Sequence, residues 1–331
     1  KIYIVTINSN FKYKFNKKKL IFISPKSNKW INKPRIFKYF FSLILLIKHF
    51  KNKKILIFSF QGNILAILAS LILDSKIIIR LNTSPEKYIN NFYKKIFFSF
   101  FYKIVDRIIV NSDKFKKSLK DSLNLKSSKI YNPTGMSGIR NYKIKFFHGF
   151  KGLKILSIGR LTDQKDHMTL LKSASFLRKN SIKFKLYIIG QGYKHIDLKN
   201  FIKSEGLTKS IKLGGYKKNA FNYLKSSDLF ILSSRYEGLP NVLIEAQKLK
   251  IPIISSNCMS GPSEILLNGK LGDLFKVGDY YGLYKKIKGF IKNKKTLIKK
   301  TNLGQKYLYR FNDKDNCNKY YFLIKRYIKL N

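Results

Sequence analysis

Two segments of the 331-residue chain carry side chains that could do chemistry. In the first, residues 157–167 (SIGRLTDQKDH), a strand ends at Gly159 and a polar loop leads into a helix. Arg160 and Lys165 flank that turn, so both can reach one anion, while backbone amides at the helix start add partial positive charge. The same spacing fits two ordinary surface cations among the 68 Lys and Arg equally well. A second turn of this kind, Gly190-Gln191-Gly192, would let backbone approach a ligand closely. The other segment is residues 233–246 (SSRYEGLPNVLIEA). Pro240 suits the first turn of a helix, which makes Gly238 and Leu239 its approach and aims the free amides near Asn241 and Val242 at a ligand. Glu237 then falls on the loop, and Glu245 lies more than a turn inside an otherwise apolar helix. A carboxylate there is costly to bury without partners, and the adjacent hydroxyls of a ribose would supply them. A place on the solvated side of the helix is the alternative.

Positioning these loops requires a repeated strand-to-helix unit, and the chain has one. Short β-branched runs at Ile2–Ile7, Leu20–Ile23, Lys54–Ser59, Ile77–Leu81 and Arg107–Asn111 alternate with helical patterns at Arg35–Phe50, Asn63–Leu73 and Glu86–Lys103. The rhythm restarts with strands at Leu153–Ile158, Phe184–Ile189, Ile211–Leu213, Leu229–Leu232 and Pro252–Ser255 and helices near Asp166–Leu177, Tyr193–Ser204, Asn219–Lys225 and Pro240–Lys248. Continuous apolar strands joined by amphipathic crossovers predict α/β domains with parallel sheets. Between the two sets, Asn132-Pro133-Thr134-Gly135 and a Lys-rich stretch to about Lys151 have turn chemistry and no clear period, so the linker is expected there. Two tandem Rossmann-like domains, 1–148 and 149–331, would face a central cleft that takes the ligand.

Lys and Arg number 68 against 17 Asp and Glu, a formal charge of +51, while 44% of residues are hydrophobic and 15% aromatic, which excludes an intrinsically disordered basic tail. The lysines are spread from Lys1 to Lys329 and not gathered into a stripe, and they accompany Ile, Asn, Phe and Tyr, the residues of A/T-rich codons. Nucleic acid is therefore disfavoured as a partner, and an anionic membrane surface or an anionic substrate is favoured. Cys258 and Cys317 do not make a disulfide framework, which points to a reducing cytosol. The longest apolar run, Ile64–Leu73, is about half the roughly twenty residues of a membrane span. No secretory signal is visible, and the chain opens on Lys1 inside an expected strand.

Glu237 and Glu245 enclose GLPNVLI, and the pair resembles the E-x7-E motif of the family 4 glycosyltransferases. The resemblance extends to SIGRLTDQKDHMTLL (157–171), LYIIGQG (186–192), SSDLFILSS (226–234) and SGPSEILLNGKLGDLF (260–275), and more loosely to VNSDKFKKSL (110–119) and IYNPTG (130–135). It implies the GT-B fold, with two Rossmann-like domains and a last helix, about 305–331, crossing back to the first. It implies a retaining, metal-independent transferase without a cofactor, moving a hexose or N-acetylhexosamine from a nucleoside-diphosphate sugar, UDP above all. The acceptor would be a glycan or lipid-linked glycan in polysaccharide or lipopolysaccharide synthesis, with the enzyme on the inner face of the cytoplasmic membrane.

By the same resemblance Arg160 and Lys165 bind the donor diphosphate and Glu237 faces the sugar, these three forming the catalytic group. Gly159, Gly190, Gly192, Tyr216, Gly238, Leu239, Pro240, Asn241 and Glu245 bind the donor, with Tyr216 on the base-binding loop and Glu245 on the ribose. Two departures stand out. The family's first strand, Gly-rich loop and helix are expected to be missing before Lys1, and where many relatives carry a His near the donor sugar this chain reads Arg80-Leu81-Asn82-Thr83. Gln61, Asn63, Arg80 and Asn82 are therefore candidates for acceptor or sugar contacts. His167 and His195 read as surface helix residues, and Asp313-Lys314-Asp315 as a turn and not a metal motif. The rival readings are a nucleotide-sugar epimerase of the same fold, whose acid and histidine pair has no counterpart here, and a basic membrane or nucleic-acid binding module with a disabled donor site.

Overall fold

The computed structural model describes residues 2–5, 20–23, 34–60, 62–82, 91–135 and 142–329. It resolves into two units, neither contiguous in sequence: one comprises Lys1–Val110, Leu119–Ser128 and Tyr320–Asn331, the other Asn111–Ser118 and Lys129–Lys319.

The elements of the first part of the chain are β1 (Ile2–Val5), β2 (Leu20–Ile23), α1 (Arg35–Phe50), β3 (Leu56–Ser59), α2 (Asn63–Ile72), β4 (Lys76–Arg80), α3 (Phe92–Lys103), β5 (Arg107–Val110), α4 (Asp113–Leu123) and β6 (Ser128–Lys129). The stretch from Glu86 expected to open the third helix lies outside the described residues as far as Asn90, and the described helix begins after Asn91, whose side chain accepts a hydrogen bond from the Lys94 amide. Strands β1 and β2 pair in parallel, and β3-β4-β5-β6 form a four-stranded sheet. Its central strand buries Ile77, Ile78 and Ile79 in succession, as a strand covered on both faces must. Asp106 ties the lower end of that strand, accepting from the Ile77 amide at 2.8 Å and pairing with Lys76 at 3.2 Å. Tyr327, near the carboxyl end, donates to the Asp106 carbonyl at 3.1 Å.

The second part contains β7 (Leu153–Ile158), α5 (His167–Lys179), β8 (Phe184–Ile189), α6 (His195–Ser204), β9 (Ile211–Leu213), β10 (Leu229–Leu232), α7 (Asn241–Lys248), β11 (Ile253–Ser256), α8 (Gly261–Ile265), β12 (Asp273–Phe275), α9 (Tyr280–Lys292), α10 (Lys294–Gln305) and α11 (Asp313–Lys329). The expected helix at Asn219–Lys225 is a 3-10 helix over Ala220–Ser226, entered through a left-handed Asn219. Asp313 opens α11, so Asp313-Lys314-Asp315 is the first turn of a helix and not a free turn. The Asp313 carboxylate accepts from both the amide and the hydroxyl of Thr134.

Every strand of the six-stranded sheet is parallel, in the order β12-β11-β10-β7-β8-β9. Alternation along the strands divides the core: Leu229 and Ile231 of β10 join one buried cluster with α5 and α9, while Phe230 and Leu232 join another with α7. The chain lays down β7 first, extends to β8 and β9 on one side, then returns to place β10 on the other. The loops after β7 and β10 therefore diverge at the topological switch point, where open parallel sheets leave a crevice.

The turn after β8 sets the height of the turn after β7. Gly159 N donates to Ile189 O at 2.9 Å, and Leu161 N donates to Gln191 O at 3.0 Å. A Cβ built on Gly190 would lie 1.9 Å from the Gly159 carbonyl oxygen, and one on Gly192 2.1 Å from that of Leu161. The two glycines thus admit the neighbouring turn's backbone, an approach that accounts for them without any ligand. Gly192→Ala must push the turns apart and is expected to cost about 1–3 kcal/mol, read as a lower urea midpoint at unchanged m-value. Gly289→Ala on α9, whose added Cβ meets no atom within 4 Å, should leave that midpoint unchanged or raise it.

Candidate functional site

Five polar contacts staple the loop after β7 to the loop after β10. Arg235 N donates to Gln164 O at 2.8 Å, the Gln164 side chain donates to Tyr236 O at 3.1 Å, and Ser233 Oγ donates to Lys165 O at 2.9 Å. Arg235 Nε pairs with the buried Asp166 carboxylate at 3.1 Å. The fifth joins Lys165 Nζ to Glu237 Oε1 at 2.5 Å, with side chains only 16% and 8% exposed.

Each partner of that ion pair is further held. Ser234 Oγ donates to Glu237 Oε1 at 2.6 Å, and Ser260 Oγ donates to the Glu237 carbonyl at 2.6 Å. Lys165 carbons lie 3.1 Å from where a Gly159 Cβ would be, so the bare glycine leaves the path of the Lys165 side chain open. Arg160 is exposed beside the pair and donates to Gln164 Oε1 at 3.2 Å. Lys165 and Glu237 are thus brought together, with Arg160 tethered to the same loop.

The α7 group forms a second part of the site. Pro240 is the residue preceding the helix and not its first member, one position earlier than expected, and Leu239 and Pro240 are both buried. Gly238 O accepts from Gly261 N at 2.9 Å, and Asn241 Oδ1 accepts from Asn132 at 2.9 Å. No acceptor among the described residues takes the backbone amides of Asn241 and Val242. Glu245 is partly buried on α7, and no described residue donates a hydrogen bond to its carboxyl. Burial pushes that carboxyl up to about 7, with Lys248 opposing weakly. Tyr216, by contrast, stands 69% exposed after Gly215.

Several residues behave differently from the sequence reading. His167 is buried, not on the surface, because α5 packs between the sheet, α6 and α9, and closes over its polar residues Thr169, Ser173 and Ser175 as well. Burial, with Lys165 adding to it, pushes the His167 imidazole down to about 3, so it is neutral at physiological pH. His195 is exposed at the start of α6. Burial, reinforced by Glu237, pushes the Cys258 thiol up to about 12, which makes it an inert neighbour of the ion pair.

The first-unit candidates gather at the carboxyl ends of β3 and β4. Asn63 accepts from Ser59 at 2.8 Å and reaches Arg80 O at 3.4 Å, while Asn82 donates to Phe60 O at 3.0 Å. The Arg80 guanidinium lies over the rings of Phe60 and Tyr320. These side chains connect adjacent loops, and Gln61 lies outside the described residues.

Sequence reasoning missed Glu264. Its Oε2 accepts from the Asp113 amide at 2.7 Å, capping α4, and its Oε1 accepts from Tyr131 Oη at 2.6 Å. Burial and then this hydrogen bond push the Tyr131 hydroxyl up to about 12, and Lys129 bonds both Tyr131 and Asp113. The GPSE stretch was visible, but its partners lie more than a hundred residues away. Among the described residues no group of three His, Cys, Asp or Glu could hold a metal ion.

The sequence model of the family described as "Glycosyl transferases group 1" matches residues 140–306, the stretch that builds both stapled loops and α7. A glycosyltransferase of Methanocaldococcus jannaschii, MJ1059, is 30% identical over 296 residues, 82% of this chain and 72% of that protein. The N-acetylgalactosamine-N,N'-diacetylbacillosaminyl-diphospho-undecaprenol 4-alpha-N-acetylgalactosaminyltransferase of Campylobacter jejuni is 26% identical over 209 residues, 62% of this chain and 56% of that one. In structure, Anabaena Alr3699/HepE in complex with UDP-glucose superposes with a TM-score of 0.71 at 15% identity, covering 94% of this chain and 86% of the other, a likeness of fold alone. Parallel α/β sheets of the GT-B kind, a family model spanning half the chain and a relative aligned along four-fifths of it lead to one conclusion: the chain belongs to the group 1 glycosyl transferases.

Proposed function

We propose that the chain transfers a hexose or N-acetylhexosamine, with retention, from UDP to a glycan or lipid-linked glycan acceptor in surface polysaccharide synthesis. The carrying observation is the Glu245 carboxyl, held in a partly buried place at a pKa of about 7 with no hydrogen-bond donor among the described residues, on the helix that follows Glu237. Two adjacent ribose hydroxyls are the donors such a carboxylate lacks. The HepE complex with UDP-glucose and the lipid diphosphate in the name of the Campylobacter relative support the donor and acceptor classes.

In this reading Arg160 and Lys165 hold the donor diphosphate and stabilise the charge that grows on it as the glycosidic bond to the sugar breaks. Glu237 keeps the Lys165 ammonium fixed, so no reorganisation is needed when the diphosphate arrives. The unengaged amides of Asn241 and Val242 add partial positive charge at the start of α7. No divalent ion is needed in this scheme, and turnover should persist in excess chelator.

The donor reading is tested by melting: UDP at saturating concentration should raise Tm by several degrees, whereas inorganic phosphate at the same concentration should not. Equal protection by both would reduce the site to an anion patch.

The two cations should separate in stability. Arg160→Ala, at an exposed position, should lower turnover by roughly 10²-fold with Tm unchanged. Lys165→Ala should lower turnover similarly and also cost about 3 kcal/mol, because it strands the Glu237 carboxylate in a buried place. Urea melts of the two variants side by side check this, and equal stability would mean that the pair is not closed in solution.

Glu245 gives a pH signature. Its folded pKa lies above the ordinary carboxylate value, so the stability associated with the neutral acid is present at low pH and is lost as pH rises through about 7. Glu245→Gln should therefore stabilise the ligand-free protein by about 2 kcal/mol at pH 8, with little gain near pH 5. UDP-glucose, whose diphosphate does not titrate in this range, should bind the parent roughly ten-fold more tightly at pH 8 than at pH 6, as the ionised fraction grows. In the Gln variant binding should be weaker and nearly flat with pH, as calorimetric titration would show.

A further inference from the structure

Strand β7 lies between β10 and β8, so the loop that follows it has a neighbour on either side. Toward β10 it is stapled through Gln164, Lys165 and Asp166. Toward β8 it meets the turn that leads into α6. Lys194 N donates to Leu161 O at 3.0 Å. Tyr193 Oη engages Asp163 twice, accepting from its amide at 3.2 Å and donating to its Oδ2 at 2.8 Å. Lys194 Nζ pairs with Asp163 Oδ1 at 3.4 Å and with Asp197 at 3.1 Å, so both carboxylate oxygens of Asp163 are held. The Tyr193 hydrogen bond, with Lys194 and Arg235 adding to it, keeps the Asp163 carboxyl below its ordinary pKa. Core packing does not account for this contact. Tyr193 is 67% exposed, and α6 buries Leu198 and Ile202 instead.

We propose that Tyr193 is a positioning residue for Arg160: by holding Asp163 it fixes the side of the loop that faces β8, and so sets where the Arg160 guanidinium meets the donor diphosphate. Arg160 is exposed and donates to Gln164, a member of its own loop, so its head group is only as well placed as that loop. Leu161 is tied to Gln191 and Gln164 to Tyr236, and between them the Asp163 amide has Tyr193 Oη as its acceptor. A turn free to lift at Asp163 would carry Gln164, and Arg160 with it, through a range of positions that ligand binding would have to narrow. The Tyr193 hydroxyl narrows that range before the ligand arrives. The inference rests on the donor reading of Arg160 and adds to it a residue that acts through the loop.

The test is calorimetric titration with UDP-glucose of the parent, Tyr193→Phe, Arg160→Ala and the double variant. Tyr193→Phe keeps the ring and removes both hydrogen bonds, and at so exposed a position its Tm should equal the parent's. Its Kd for UDP-glucose should rise roughly three- to ten-fold, the range that hydrogen bonds of this kind supply. In the Arg160→Ala background the same substitution should change Kd by less than about two-fold, because the group it acts through is gone. An equal loss in both backgrounds would mark a general loosening of the crevice and would overturn the proposal. Hydrogen exchange without ligand gives a second readout: the peptide spanning residues 161–164 should exchange faster in Tyr193→Phe, with β8 unchanged. Equal exchange in the two proteins would show that the hydroxyl holds nothing, and would likewise overturn it. If the parent binds UDP-glucose and Tyr193→Phe binds it as tightly, the positioning role falls alone. A parent that does not bind UDP-glucose brings down the donor reading, and this role with it.

Discussion

The Lys165–Glu237 pair is the constraint from which the geometry of the second unit's loops follows. Taking two charges out of water costs several kcal/mol for each ion, and the cost is offset only when partner and hydrogen bonds are in place. Neither loop can meet that condition alone: Lys165 follows β7, and Glu237 follows β10. Ser234 and Ser260 hold Glu237, Gln164 and Ser233 hold the loop backbones, and the glycine-lined turn after β8 props the first loop from beneath. The sheet order brings the two loops to one crevice, and the ion pair sets their register there. Arg160 and Glu245 are then presented without comparable anchoring, one exposed and one lacking a hydrogen-bond donor among the described residues.

How much of this was legible depends on whether the determining contact was local. β10 reads as four apolar residues in a row and is buried on both faces, so its place in a parallel sheet followed from composition and length. Glu237 and Glu245 were visible because loop and helix lie within one short segment with a proline between them. The two glycines after β8 were visible too, but their role was not, since a sequence does not say whether a missing Cβ admits ligand or neighbouring backbone. His167 was misread because its helix is covered from more than one side, and the small Ser and Thr residues of the same helix are enclosed with it. Glu264 left no local signal: its partners Asp113 and Tyr131 precede it by 151 and 133 residues.

Site and surface also differ in what holds them. The crevice residues are fixed by hydrogen bonds and by the Lys165–Glu237 and Arg235–Asp166 ion pairs, whereas the Asn91 cap of α3 and the ring contacts between its neighbouring aromatic side chains are local to the helix. A directional site needs the first kind of support.

The interleaving of the two units bears on the order in which the chain can be built. Asp106 is made early, but the tyrosine that binds its carbonyl lies 221 residues later, in the segment Tyr320–Asn331 that belongs to the first unit. At a synthesis rate of roughly 5–20 residues per second, that gap is about ten to forty seconds. For about eight to thirty seconds of that interval the amide of Asp113 waits for Glu264, 151 residues later. Completion of the first unit thus waits on residues 320–331, made long after its strands.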